Sequence, residues 1–426
     1  MSNTEPLLRV GIIADVQAYD REDDWGIHNL RKALQILAPK NLDVILNLGD
    51  ISDGAYESVY NYYGKVLKDT FKEKMPLQLS CAGNHDFWIH DAEVIDPVYG
   101  QFCRGIGQKE ENPCHYVVNG YSFIAISAPQ HPFSGYTAEH IAALEKEIKQ
   151  AIARVSEKPV FVLSHFPPAQ TMSGSYSASG REELRQLFDR YKQVVSLSGH
   201  THYPLEDERC IWQGKFTAFT CATLAYGCMS EEHYVNNCNG IIPFAREAVQ
   251  AMYMEIFADR LEIHRYNVED QREIKPDRIW TMPLPFDPAA AVFTAARREK
   301  RQAPQFAPDT QIYLRYDYGY IFLLFDGAEH DDFVHSYHVV LWEKSADGTL
   351  TKAMELDYAG NFYRLDRNRD KRQVIRLPGA EMKQYTDYKV EIYPRESFGL
   401  QGEPISLVVN IGRRKLKPIT DLPPQE

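Results

Sequence analysis

Long apolar runs alternate with helix-period segments along the first two-thirds of the chain. Residues 7–14 (LLRVGIIA) and 42–50 (LDVILNLGD) read as buried strands. Between them, Leu30, Leu34 and Leu37 recur at helical spacing within 25–39. A second helix is expected over 56–74 and a third strand in 76–86 (PLQLSCAGNHD). Residues 115–127 (HYVVNGYSFIAIS) predict a hairpin turning on Asn119-Gly120. Thr137 opens an amphipathic helix over 137–155, with Glu139 and Glu145 early in it. A strand at 159–165, a helix at 180–191 and a strand at 193–202 continue the alternation, which indicates a layered α/β sheet. Residues 251–268 add strands expected to be antiparallel.

The pattern changes after residue 271. Residues 272–310 are rich in Pro and Ala and read as a linker with one short helix; the basic cluster Arg297, Arg298, Lys300 and Arg301 reads as a solvated helix face. Short alternating strands follow, as in DYKVEIYP, where Tyr388, Val390 and Ile392 alternate with Lys389 and Glu391. The expected organisation is a catalytic domain over 1–271, the linker, and an all-β sandwich over 311–426. The sandwich resembles a fibronectin type III module, with Tyr388 as its tyrosine-corner residue.

Polar residues in the first domain fall at the ends of the buried strands. Asp15 and Gln17 end the first, Asp50 the second, and Asn84 and His85 the third. His165 ends a later strand, and His200 and His202 follow the last. Carboxyl ends of strands form the ligand crevice of α/β sheets, so groups from five strands are expected at one place. Taken singly, each has a plain reading as a turn or loop residue. Jointly they do not, because the ten other histidines lie outside these segments and glycine precedes the polar residue in GD, GN and GH. Glycine there permits close backbone approach.

Composition narrows the partners. The chain of 426 residues is 44% hydrophobic, with a net charge of −12 and no long Lys/Arg blocks, which argues against a general nucleic-acid binder. No run approaches the ~18 apolar residues of a membrane span. The N-terminal stretch MSNTEPLLRV has no basic segment followed by a long apolar one, so a cytoplasmic location without a secretory signal is expected. The seven cysteines, with no CxxC pair, read as free thiols of a reducing compartment, zinc binding being the alternative.

The ordered motifs GD, GNHD and GHTH, each after a buried strand, resemble the calcineurin-like metallophosphoesterase superfamily over roughly residues 7–270. The resemblance implies a two-sheet α/β sandwich with a dinuclear metal centre at the strand ends. It implies that Asp15, Gln17, Asp50 and His202 hold one metal. Asp50, Asn84, His165 and His200 would hold the other, with Asp50 bridging. His85 would be the catalytic histidine outside the ligand set, oriented by Asp53, with Asp86 as a further helper. Two metals about 3.5–4 Å apart can bind a bridging hydroxide and clamp phosphate oxygens. The ligand mixture suits Mn, Fe or Zn without separating them; Mn is expected first on the ground of Gln17.

The most frequent form of the opening motif has His where this chain has Gln17. Gln17 is expected to replace the imidazole with an amide oxygen, giving a harder, weaker first position. The competing readings are a lost first metal or a degenerate binding module. The opening IADVQ is similar to that of manganese-dependent ADP-ribose/CDP-alcohol diphosphatases, which carry Gln there. The expected function is therefore hydrolysis of a phosphodiester or pyrophosphate bond in a small, nucleotide-like phosphorylated substrate. A phosphomonoesterase and a non-catalytic, metal-stabilised interaction protein are the alternatives, and the oligomeric state is left open. Residues 165–180 (HFPPAQTMSGSYSASG) read as a mobile rim. Phe87, Trp88, His90, His131, Tyr136 and Tyr203 are candidates for stacking on a base. No basic residue stands out as a phosphate clamp.

Overall fold

The computed structural model describes residues 5–88, 95–128, 135–229, 234–367, 371–412 and 416. The chain divides into two compact units. One holds residues 1–228 and 246–294, the other 229–245 and 295–426. Residues 229–245 thus belong with the second unit although they precede 246–294 in the chain.

In the first unit the elements run β1 (Leu8–Ile13), α1 (Trp25–Leu37), β2 (Val44–Asn47), α2 (Glu57–Phe71), β3 (Leu77–Ser80) and α3 (Ile95–Ile106). They continue with β4 (Cys114–Val118), β5 (Tyr121–Ile126), α4 (Ala138–Arg154), β6 (Val160–Ser164), α5 (Arg181–Phe188) and β7 (Val194–Ser198). The remaining strands are β8 (Ile211–Gln213), β9 (Thr217–Thr220), β10 (Gln250–Ile256), β11 (Arg260–Asn267), β12 (Arg272–Ile274) and β13 (Trp280–Pro283). One sheet has the order β12-β11-β10-β1-β2-β3, with β13 also on β11, and the other β4-β5-β6-β7-β9-β8. The parallel pairs β1–β2–β3 and β5–β6–β7–β9 set their C-terminal ends side by side.

Both faces of these strands are buried. Ile13, Ile45, Ala251 and Tyr253 pack with Leu30, Leu34, Tyr60 and Tyr63 of α1 and α2, while Ile124, Val160 and Val162 pack with Leu144, Ile148, Leu184 and Phe188 of α4 and α5. The opposite faces carry fully buried Val10, Ile12, Leu46, Met252 and Met254 on one sheet and Phe123, Phe161, Leu197 and Phe219 on the other. The result is a two-sheet α/β sandwich. Thr137 caps α4 as its position suggested, accepting from the His140 N–H.

The expected linker is not one throughout. β12 and β13 both pair with β11. Fully buried Arg265 on β11 explains part of this: its guanidinium bonds Glu208 (3.0 Å), Leu205 O (3.0 Å) and Arg278 O (2.7 Å) and lies 4.3 Å from the Trp280 ring centre. Arg265→Ala leaves Glu208 buried with less compensation and should destabilise the protein by about 3–5 kcal/mol. Denaturant titration checks this; a change near zero would show that the network is dispensable.

The second unit holds β14 (Tyr313–Asp317), β15 (Tyr320–Asp326), β16 (Ser336–Lys344), β17 (Leu350–Ala359), β18 (Arg372–Leu377), β19 (Thr386–Arg395) and β20 (Ile405–Ile411). Its sheets are β14-β15-β18 and β17-β16-β19-β20, all antiparallel. Leu323, Phe325 and Ile375 from one meet Val339, Leu341, Val390 and Ile392 from the other in a single core, forming a β-sandwich. Tyr388 is buried, and its hydroxyl accepts the Lys383 N–H (2.9 Å), the bond a tyrosine corner makes. Among the described residues no helix is long and apolar enough to cross a membrane. All seven cysteines are free.

Candidate metal centre

The strand ends of the first unit do converge. Asp15 and Gln17 follow β1, Asp50 follows β2, Asn84 and His85 follow β3, His165 follows β6, and His200 and His202 follow β7. Asp15, Asp50 and His165 present ligand atoms within 4.8 Å of one another. The backbone is bent sharply to do this: Asp15, Gln17, Asp50, His200 and His202 all have positive φ, between 42° and 66°. Such conformations cost of order 1–3 kcal/mol each and cluster at functional sites. Glycines make room. A Cβ on Gly83 would lie 2.1 Å from Asp50 Oδ1, and one on Gly199 would lie 2.6 Å from Asp15 Oδ2.

The polar contacts have an unusual sense. His165 Nδ1 is 2.8 Å from the Leu48 carbonyl, to which it can only donate. In the neutral ring Nε2 then carries a lone pair. That nitrogen lies 3.0 Å from Asn84 Oδ1 and 3.1 Å from Asp50 Oδ2, both acceptors. His202 repeats the arrangement, with Nδ1 donating to Tyr226 O (2.8 Å) and Nε2 3.1 Å from Asp15 Oδ1. With neutral rings, lone pairs would face lone pairs in a buried place, and a positive charge there, either an added proton or a metal ion held by this carboxylate, amide and imidazole set, satisfies them. Ligands about 2.1 Å from one ion and at right angles stand about 3 Å apart. The Gln17 side chain is buried and its Oε1 has no hydrogen-bond partner. A buried orphan acceptor beside such a cluster is what an amide ligand looks like without its ion. The residues present therefore fit a metal centre.

The same geometry shifts the ionisable groups. Burial alone would raise Asp50, but His165, His85 and His200 outweigh it and hold its carboxyl well below the usual range. Burial would lower His165, yet Asp50 and Asp15 push it up. His200 is driven down by burial, His165 and Arg181.

His85 stands beside the cluster. Its backbone N–H donates to Asp50 Oδ1 (2.8 Å), while its ring points elsewhere. Ring Nδ1 is 2.9 Å from Asp53 Oδ1, an ion-pair distance without good hydrogen-bond alignment. Burial works against its protonated form, but Asp53 and Asp50 raise its pKa above the ordinary value. Asp86 does not assist the ring. Its two oxygens accept the Ser52 and Gly83 N–H groups, clamping the two loops together.

Three residues at the site have no distinctive sequence signal. Tyr19 stands near Asp53, which together with burial pushes its pKa up to about 12. The Tyr226 ring lies 4.7 Å from His202. Arg181, fully buried, donates to His200 Nε2 (3.1 Å). Arg181 also shows that 165–180 is not a loose rim. Its carbonyl accepts the Ala169 N–H, Gln170 donates to Ser175 O, and its guanidinium lies between Phe166 and Tyr176. Of the aromatic candidates, Phe87, Tyr136 and Tyr203 are core residues. Trp88 is 38% exposed and lies 4.8 Å from the His85 ring. His90 and His131 lie outside the described residues.

The family model for calcineurin-like phosphoesterases matches residues 8–204, the stretch that carries every residue of this cluster. No curated protein sequence matches the chain. Solved structures similar to it include Plasmodium GAP50, described as the anchor in the inner membrane complex, at 14% identity over 66% of this chain and 90% of that one, TM-score 0.45. Purple acid phosphatase PPD1 from yellow lupin (Lupinus luteus) seeds gives 14% identity over 65% and 53%, TM-score 0.45. TT1561 of Thermus thermophilus gives 12% over 65% and 98%, TM-score 0.36.

Proposed function

We propose, from the premise that residues 8–204 are a calcineurin-like phosphoesterase domain, that this cluster is a dinuclear metal centre hydrolysing a phosphodiester or pyrophosphate bond. The domain is that of a metal-dependent phosphohydrolase; the bond and the ligand roles are our reading. The observation that carries it is the convergence of His165 Nε2 with Asn84 Oδ1 (3.0 Å) and Asp50 Oδ2 (3.1 Å) in a buried site. Asp15, Gln17, Asp50 and His202 would hold one ion and Asp50, Asn84, His165 and His200 the other, with Asp50 shared. Bound divalent ions would neutralise phosphate oxygens and make water nucleophilic at neutral pH.

The chain's own residues complete the chemistry. His85, favoured in its protonated form by Asp53, gives a proton to the leaving oxygen. Asp53 holds that ring. Trp88 lies beside His85 and is partly exposed, so it can offer a flat face to the leaving group of either ester class. A nucleotide-like substrate and a cytoplasmic setting, where seven free thiols persist, belong to the same reading.

The test is bis-p-nitrophenyl phosphate against the mono-ester, with Mn(II) added. Faster turnover of the diester is expected, and preference for the mono-ester would refute the diester reading. Gln17 supplies a second expectation. An amide oxygen is a harder donor than imidazole, so Gln17→His should shift metal preference from Mn(II) towards Zn(II). Competition dialysis against both ions measures this, and an unchanged preference would place Gln17 outside the ligand set.

A further inference from the structure

His200 differs from the other two ring ligands of the proposed centre. The outer nitrogens of His165 and His202 each donate to a backbone carbonyl, the usual support for a ligating imidazole. The outer nitrogen of His200, Nε2, instead faces the Arg181 guanidinium at 3.1 Å. Arginine carries donors only and keeps its proton, so His200 Nε2 must accept. A neutral His200 then bears its hydrogen on Nδ1, and Nδ1 is 3.1 Å from Asn84 Oδ1, an acceptor. The ring is satisfied on both sides by hydrogen bonds, unlike His165, whose inner nitrogen meets only acceptors. To coordinate through Nδ1, His200 has to give up the Asn84 bond and place its hydrogen against a guanidinium.

Arg181 is not free to move aside. It opens α5 beneath Gly180, is buried, and its guanidinium carbon lies 4.5 Å from the Phe166 ring centre and 4.2 Å from that of Tyr176. Two aromatic faces hold a desolvated cation in place. Phe166 adjoins His165 in sequence, and its ring also packs on His200 at 4.7 Å. The stack therefore fixes guanidinium and imidazole as one unit.

We propose that Arg181 is a positioning residue that keeps the His200 lone pair outward, on Nε2, and thereby lowers the metal affinity of the position that includes His200. Gln17 belongs to the other position, so the two residues weaken opposite halves of the centre. This rests on the metal-centre reading above.

The experiment has two arms. In the first, Mn(II) is titrated calorimetrically into metal-free full-length protein carrying Arg181, R181K, R181M or R181Q. Lysine keeps a donor, methionine removes it, and glutamine supplies an acceptor. Affinity of one step, that of the position with His200, should rise in the order Arg and Lys, then Met, then Gln, by roughly 10-fold from Arg to Gln, the scale of outer-shell effects. The other step should stay constant. Variants that weaken both steps together, or an order that ignores donor character, would show that Arg181 only packs. In the second arm, long-range proton–nitrogen NMR on metal-free wild-type protein with labelled histidine reads the His200 tautomer. Hydrogen on Nδ1 is expected, and hydrogen on Nε2 overturns the proposal even if every variant misfolds. If no Mn(II) binds at all, the metal-centre reading fails, while the tautomer result still decides the role of Arg181.

Discussion

His85→Ala lowers turnover by roughly 100- to 10,000-fold while leaving metal content unchanged. The magnitude is that of removing a positioned general acid. The separation of the two readouts follows from the geometry. Only the backbone N–H of His85 touches the cluster, donating to Asp50 Oδ1, and alanine keeps that group. The ring faces Asp53 and Trp88 instead. Asp53→Asn should give a smaller loss, because the ring remains but is less favoured in its protonated form. Steady-state rates on bis-p-nitrophenyl phosphate and metal analysis by mass spectrometry measure both quantities. Full activity in His85→Ala would remove the histidine from the chemistry, and loss of metal would make it part of the scaffold.

Much of this site was legible because its chemistry is tied to local sequence. A buried strand that ends in Asp or His needs no long-range information to be noticed. The glycines before Asp50, Asn84 and His200 mark where backbone must approach side chains closely, and the 2.1 Å and 2.6 Å separations at Gly83 and Gly199 show why. Tyr388 and Thr137 were legible for the same reason, since each acts on backbone a few residues away.

What escaped was non-local. The sequence suggested no helix at Ile95–Ile106, where glycines weaken the pattern. Gly105 is a packing device together with Gly64 of α2: a Cβ on Gly105 would lie 2.4 Å from Tyr60 Cβ, and one on Gly64 2.7 Å from Gly105 O. α2 and α3 approach through them. β12 and β13 looked like linker because the strands are short and lie in a Pro/Ala-rich stretch, and Arg265, Glu208 and Trp280 become partners only in three dimensions. Arg181 directly follows a Gly/Ser-rich stretch and opens an expected helix, where a basic residue draws no notice. A buried cation pinned by two rings overrides composition, and nothing in the local pattern announces the rings.

Asp50→Asn should abolish measurable turnover and strip the protein of both ions, not one. Asn is nearly isosteric, so its oxygen can still accept the His85 N–H and the loop can keep its course. What changes is charge. Asp50 is fully buried, and its carboxylate is the group that draws His165, His85 and His200 electrostatically. An amide there places either a weaker oxygen or a donor N–H against His165 Nε2. Losing an outer-shell partner typically costs about 10–100-fold in metal affinity, and a shared anionic ligand must exceed that at both positions. Gln17→Ala is the control, because Gln17 belongs to one position in this reading and its loss should remove at most one ion. Metal stoichiometry after dialysis therefore separates a bridging residue from a terminal one without any assay of activity. Asp50→Asn protein that retains both ions would show that the carboxylate does not bridge, and one that retains a single ion would assign it to one position only.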